Sequence, residues 1–194
     1  KGVDNTGNVR VWPSEEVLSG VLVGNGKVGK DWSWMEGRRV MELGAGRSGL
    51  VGAIAGAMGA ARVCCTDGNE DAVGALMRSC QFGIEQLHVH NPDVVMECGL
   101  LCWEDTVHEE GADRLKAYEF DLILCSDCLF FEDFHLALLS TTLSLLESSH
   151  STCSSSKSVE DEAGVIGTVA QNPCALFLQP SRGGSMERFV EKAR

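Results

Sequence analysis

Short apolar runs alternate along this chain with longer segments whose apolar residues recur at helical spacing. The predicted strands are residues 40–43, 62–66, 94–98, 120–125 and 175–178. The predicted helices are residues 50–58, 71–82, 134–146 and the segment from 186 to the C-terminus, and another begins within 12–18. This regular alternation predicts an α/β fold with a doubly wound, mainly parallel sheet.

The domain organisation follows from the same pattern. Residues 120–125 form the most apolar run, which predicts a strand covered by helices on both faces. A chain of 194 residues fits a single domain, 1–194. Residues 148–172 interrupt the pattern with a serine-rich stretch followed by an acidic one. Since this segment has little apolar side-chain area to bury, we predict a disordered surface insertion there.

Composition and charge narrow the class of protein. The net charge of -12 disfavours binding to nucleic acid or to anionic membranes, and no apolar run is long enough to cross a bilayer. The polar N-terminus lacks the apolar segment of a secretory signal, and the nine cysteines are an odd number. These features predict free thiols in a reducing compartment, the cytoplasm or also the nucleus. We also expect a monomer. Cys125 and Cys128 form a C-x-x-C pair, but the sequence has no second pair at zinc-binding spacing. We therefore predict no metal site.

A glycine-rich turn after the first strand carries the clearest chemical signal. Gly44, Gly46 and Gly49 fit G-x-G-x-x-G, whose backbone N–H groups and helix N-terminus can hold a nucleotide-like ligand. Asp67 closes the second strand, near the offset at which an acid binds ribose hydroxyls. Glu42, two residues before the first glycine, favours S-adenosylmethionine, because its methionine ammonium needs an anionic neighbour.

The same glycine pattern also fits a nicotinamide-dependent Rossmann oxidoreductase. That function needs a hydride-relay residue, and the sole tyrosine, Tyr118, has no fitting lysine partner. A domain that binds S-adenosylmethionine without turnover is a third possibility.

Several strings extend the match beyond the glycine turn. They are D-N-T-G-N-V-R-V-W-P-S-E-E-V-L from Asp4, E-L-G-A-G from Glu42, T-D-G-N-E from Thr66, S-D-C-L-F from Ser126 and P-S-R-G from Pro180. Taken together, these strings resemble the seven-strand, S-adenosylmethionine-dependent protein-lysine methyltransferases, and among them the calmodulin-directed branch.

This resemblance implies a Rossmann-like class I methyltransferase fold whose last two strands the sequence does not supply. It also implies S-adenosylmethionine as the cofactor. The implied cofactor-binding residues are Glu42, Gly44 and Gly46 for the methionine part, Asp67 for the ribose, Trp103 for the adenine, Trp12 for closure of the pocket, and Ser126 at the fourth strand's end.

The resemblance places a D-x-x-Y motif at the mouth of a substrate lysine channel, and here it reads Asp127 to Phe130. Asp127 would orient the amine and Phe130 would form the channel wall, with no obligatory general base. Alternatives remain for each: Asp127 as a turn or helix-cap acid, Phe130 as a core residue, Trp103 as plain packing and Asp67 as a cap.

The implied reaction is methyl transfer to a lysine side chain of a protein, with calmodulin as the leading partner. Calmodulin is strongly acidic, so a chain of net charge -12 would be repelled by it. Another protein substrate of this methyltransferase family therefore remains an alternative.

Overall fold

A parallel sheet of five strands organises this chain. The computed structural model describes residues 10–24, 33–87, 91–107, 119–153, 173–181 and 183–194. The strands are β1 (Arg39–Leu43), β2 (Arg62–Asp67), β3 (Val95–Leu100), β4 (Leu122–Ser126) and β5 (Cys174–Leu178). Their order is β3-β2-β1-β4-β5, and every neighbouring pair is parallel. The order reverses between β1 and β4, so the predicted doubly wound parallel sheet is confirmed.

Helices cover both faces of this sheet. Within the described ranges they are α1 (Pro13–Gly24), α2 (Leu50–Ala57), α3 (Glu70–Leu87), α4 (His135–Cys153) and α5 (Ser185–Ala193). Short 3₁₀ turns span Trp103–Thr106 and Glu132–Phe134. The predicted strands and helices are all present, and the largest differences in their bounds are at the C-terminal ends of α3 and α4.

The alternation of side chains along the strands creates two apolar cores, one on each face. In β4, Leu122 and Leu124 pack in the core beneath α1, α2 and α3, whereas Ile123 and Cys125 pack beneath α4 and α5. In β1 the same alternation sends Leu43 to the second core and therefore turns Glu42 toward the first.

The boundary predicted for the insertion is wrong at its N-terminal side. Helix α4 continues to Cys153, so residues 148–153 are helical. Residues 154–172, the rest of that segment, lie outside the described residues.

None of the helices that the structure describes is long and apolar enough to cross a membrane. The cysteines whose side chains are described all carry free thiols. In the described ranges, no group of three or more potential metal ligands is arranged around a common point.

Candidate active site

A cavity of about 450 Å³ opens at the carboxyl ends of β1, β2 and β4. In a doubly wound sheet this edge is where ligands bind. Of the nine residues predicted for the site, all but Glu42 line the cavity. The lining residues are Trp12, Glu15, Gly44, Gly46, Asp67, Gly68, Asn69, Leu101, Cys102, Trp103, Glu104, Ser126, Asp127, Cys128, Phe130, Phe131 and Phe134.

The glycine turn presents bare backbone to this cavity. Gly44 has a φ of 67°, which L side chains rarely adopt. A Cβ at this position would lie 2.4 Å from Cys128 Sγ and 3.5 Å from Trp103 Cζ2. The backbone of Gly44 therefore lies close to Cys128 and Trp103 on the opposite wall of the cavity. A side chain at position 44 would fill the space between the turn and that wall.

Asp67 ties the glycine turn to the end of β2. Its Oδ2 accepts a hydrogen bond from Gly46 N–H and its Oδ1 accepts one from Asn69 N–H, both at 2.9 Å. Burial raises the pKa of this carboxyl group, although these N–H bonds oppose the shift. The cap of α3 is Asn69, whose Oδ1 accepts from Ala72 N–H at 3.0 Å, so Asp67 is left to line the cavity.

The structure does not place Glu42 at the cavity wall, contrary to the sequence prediction. The side chain is 1% exposed and lies under α2, where its Oε2 accepts a hydrogen bond from Gly52 N–H at 2.8 Å. Gly52 permits this contact because a Cβ there would lie 3.0 Å from that oxygen. Burial, followed by the nearby charge of Glu15, raises the pKa of Glu42 to about 8.

Glu15 is the site residue that the sequence analysis missed. In the first turn of α1 its Oε1 accepts a hydrogen bond from Trp12 N–H at 3.2 Å. The structure also brings it to the cavity wall beside Trp12, with its Oε2 accepting a bond from Ser48 Oγ. The string W-P-S-E-E was visible, but only the packing of α1 reveals which acid faces the cavity.

Trp103 forms the wall opposite the glycine turn. Its ring packs against the second core and meets Phe134 edge to face, with centroids 6.5 Å apart. Its Nε1–H is buried and has no hydrogen-bond partner among the described residues. Trp103 can therefore pack in the core and also contact a ligand. Its buried Nε1–H, which has no partner among the described residues, favours a ligand contact.

Asp127 is held in a strained turn by the end of β5. Its φ of 55° lies in the left-handed region, and its N–H donates to Leu178 O at 2.9 Å. Gln179 donates from Nε2 to Asp127 Oδ1 at 2.9 Å and accepts from Leu129 N–H at 3.0 Å. Asp127 Oδ2 is buried and has no partner among the described residues. This oxygen is thus free to accept a hydrogen bond from a ligand.

Three phenylalanines extend the wall beyond Asp127. Phe130 and Phe131 pack edge to face with centroids 4.9 Å apart, and Phe131 meets Phe134 at 6.1 Å. Phe130 is 44% exposed and Phe131 is 42% exposed, so neither is a core residue. An exposed aromatic wall beside a carboxylate suits an alkyl chain that ends in a cation.

The wall of the cavity is strongly anionic. Four carboxylates line it: Glu15, Asp67, Glu104 and Asp127. No lysine, arginine or histidine is among the described residues that line it. The electrostatic potential of such a wall attracts cationic ligands and repels phosphates.

The two bonds of Gln179 lead to a stability prediction. Gln179→Leu should lower the free energy of unfolding by about 1–3 kcal/mol, because Leu129 N–H and Asp127 Oδ1 would lose their partners. Hydrogen exchange at residues 127–131 should accelerate, as measured by mass spectrometry. Gln81→Leu, at an exposed position of α3, is the matched control. Unchanged exchange in the Gln179 variant would contradict the proposed anchoring.

A family model described as lysine methyltransferase matches residues 2–167. A calmodulin-lysine N-methyltransferase from Arabidopsis thaliana is 32% identical over 193 residues, which is 99% of this chain and 51% of that protein. The chain therefore spans about half the length of this relative.

The similar solved structures include two methyltransferases. Magnesium protoporphyrin IX methyltransferase from Synechocystis PCC 6803 is 18% identical with a TM-score of 0.43, covering 66% of this chain and 50% of that one. Protein arginine methyltransferase 10 from Arabidopsis thaliana is 15% identical with a TM-score of 0.42, covering 66% and 31% respectively.

Proposed function

Since the chain belongs to the lysine methyltransferase family, we propose that it transfers methyl groups from S-adenosylmethionine to a lysine side chain of a protein, with calmodulin as the leading substrate. The observation that carries the proposal is the cavity itself. It joins a nucleoside-binding glycine turn to a free carboxylate oxygen of Asp127 and to an exposed aromatic wall.

The cavity fits S-adenosylmethionine better than a dinucleotide. Gly44 and Gly46 leave room for the ligand beside bare backbone, and Asp67 retains acceptor capacity for ribose hydroxyls. S-adenosylmethionine carries a sulfonium and an ammonium, which the four carboxylates attract, whereas the diphosphate of a nicotinamide dinucleotide would be repelled by them. Tyr118, the tyrosine weighed for hydride transfer, lies outside the described residues.

The residues around Asp127 suit transfer to an amine. The cofactor supplies an electrophilic methyl group on its sulfonium, and the lysine nitrogen must reach it in its neutral form. Phe130 and Phe131 would shield the amine from water, which favours the neutral form. Asp127 Oδ2 would accept a hydrogen bond from the amine and so orient its lone pair. The leaving proton can pass to solvent at the open end of the cavity.

Calmodulin is proposed on the name of the Arabidopsis relative and on the sequence resemblance. This chain covers only half of that relative, and its net charge of -12 opposes association with an acidic protein. The test has two alternative outcomes. The substrate could be another protein that this methyltransferase family modifies, or the chain could bind the cofactor without turnover.

The test is a transfer assay with the full-length protein and S-adenosylmethionine labelled in its methyl group. We expect label on calmodulin, and its loss from one lysine-to-arginine variant of calmodulin. Label on another protein's lysine would keep the reaction and replace the partner. Label on a small molecule or nucleic acid, and none on protein, would contradict the proposal. A parallel calorimetric titration should detect S-adenosylmethionine and no NAD.

A further inference from the structure

Glu15 is a buried carboxylate at the cavity wall, and it lies outside the strand-tip motifs that predicted the site. It is 4% exposed although it sits in the first turn of a surface helix. Each of its oxygens accepts one hydrogen bond, from Trp12 N–H and from Ser48 Oγ. A carboxylate oxygen has room for a further donor, so Glu15 keeps acceptor capacity toward the cavity.

The surroundings of Glu15 leave its charge uncompensated. Burial raises the pKa of Glu15, and the neighbouring carboxylates Asp67 and Glu16 raise it further. No cationic side chain accompanies it among the described residues of the wall. A buried carboxylate is costly unless it meets a cation, and the four-carboxylate wall offers it none from the protein.

Capping of α1 alone does not account for the charge at this position. A glutamine side chain could accept the bond from Trp12 N–H with its oxygen and donate from its NH2 group to Ser48 Oγ, at a lower desolvation cost. A second observation in the same cavity also points to a ligand. Ser126 is 6% exposed, and its Oγ has no hydrogen-bond partner in the described part of the structure. A buried hydroxyl without a partner calls for a polar group of a ligand.

We propose that Glu15, and not Glu42, binds the primary ammonium group of the methionine part of the ligand. The ammonium is the matching group because its N–H donors complement the free lone pairs of Glu15, whereas a sulfonium has no donors. Glu42 lies behind the turn with its Oε2 bonded to Gly52 N–H and does not line the cavity. This assignment rests on the proposed function, since it assumes an S-adenosyl ligand.

The test compares three ligands that differ in their charged groups. Of the cationic groups, S-adenosylmethionine carries the sulfonium and the ammonium, S-adenosylhomocysteine carries only the ammonium, and 5′-methylthioadenosine carries neither. The first two ligands also share the α-carboxylate. Affinities are measured by calorimetric titration of the full-length protein and its Glu15→Gln variant. Glutamine can still contact both partners, accepting from Trp12 N–H and donating to Ser48 Oγ, so we expect the fold to be retained, and thermal unfolding of the free variant verifies this.

We expect Glu15→Gln to weaken binding of S-adenosylmethionine and S-adenosylhomocysteine at least about tenfold, and of 5′-methylthioadenosine less than about twofold. Asp67→Asn is the matched variant and should weaken all three, because every one of them carries the ribose. Glu42→Gln should change none of them by more than about twofold, because its side chain lies behind the turn.

Four results would overturn the assignment. Equal loss for all three ligands would mean that Glu15 acts only through the position of α1. Loss for S-adenosylmethionine alone would assign Glu15 to the sulfonium, and no loss at all would remove it from the site. Failure of the unaltered protein to bind any S-adenosyl ligand would overturn the proposed function as well. Binding with the expected pattern but without methyl transfer would leave the Glu15 assignment standing and refute the activity alone.

Discussion

Replacing Asp127 with asparagine is expected to reduce the rate of methyl transfer about 100-fold or more, with the affinity for S-adenosylmethionine changed by less than about twofold. Asparagine tolerates the positive φ at this position and can keep the bond from Gln179 Nε2. It replaces Oδ2, the oxygen left without a partner in the described part of the cavity, with an NH2 group, so both the negative charge and the hydrogen-bond acceptor are lost there. The loss should therefore appear in kcat, with little effect on cofactor binding.

The matched control for this variant is Asp133→Asn, which removes the same charge from an exposed position on the neighbouring 3₁₀ turn. Its kcat should stay close to that of the unaltered enzyme. If both variants lose turnover equally, the effect is one of general electrostatics. If Asp127→Asn retains full turnover, Asp127 is a structural turn residue and the amine must be oriented by another group.

The second large effect concerns stability and comes from Glu42. Its pKa is about 8 in the folded chain against 4.5 for an ordinary glutamate. Between these pH values the folded state holds a proton that the unfolded state has released, so the free energy of unfolding falls as the pH rises. From pH 5 to pH 8 this fall should reach about 3–4 kcal/mol, at 1.36 kcal/mol for each pKa unit. Below about pH 4.5 both states are protonated and the contribution disappears.

Glu42→Gln should remove this pH dependence, because glutamine does not titrate. The measurement is urea unfolding of both proteins at pH 5 and pH 8, and the quantity compared is the change with pH, not the stability at one pH. Glu85→Gln, at an exposed position of α3, is the control and should keep the original dependence. Equal pH dependence in the unaltered protein and the Glu42 variant would show that Glu42 is ionised in the folded state at neutral pH.

Glu15 and Glu42 differ in their positions relative to the cavity. Glu42 lies under α2, where it accepts a hydrogen bond from Gly52 N–H. Glu15 lines the cavity from the N-terminal helix. The charge of Glu15 is one cause of the raised pKa of Glu42, although only Glu15 lines the cavity.

The amino-acid sequence by itself determined the fold class and identified the glycine turn and the strand-end acid that line the cavity. Apolar runs separated by helical patterns predicted every strand, because a strand covered on both faces needs apolar residues throughout. Gly44 and Asp67 were identifiable as lining residues because a tight turn after one strand and an acid at the end of the next follow a fixed spacing along one βαβ unit. These constraints act between residues that are close in sequence, and they can therefore be recognised as sequence patterns.

Only the tertiary structure decided which acids and donors line the cavity. Strand alternation and the packing of α2 turned Glu42 away from the cavity, while the packing of α1 against the sheet brought in Glu15, 52 residues before Asp67 in the chain. Gln179 reaches Asp127 from the neighbouring strand, across 52 positions of sequence. Such contacts depend on which elements lie side by side in the sheet, and residue spacing along the chain does not encode that neighbourhood.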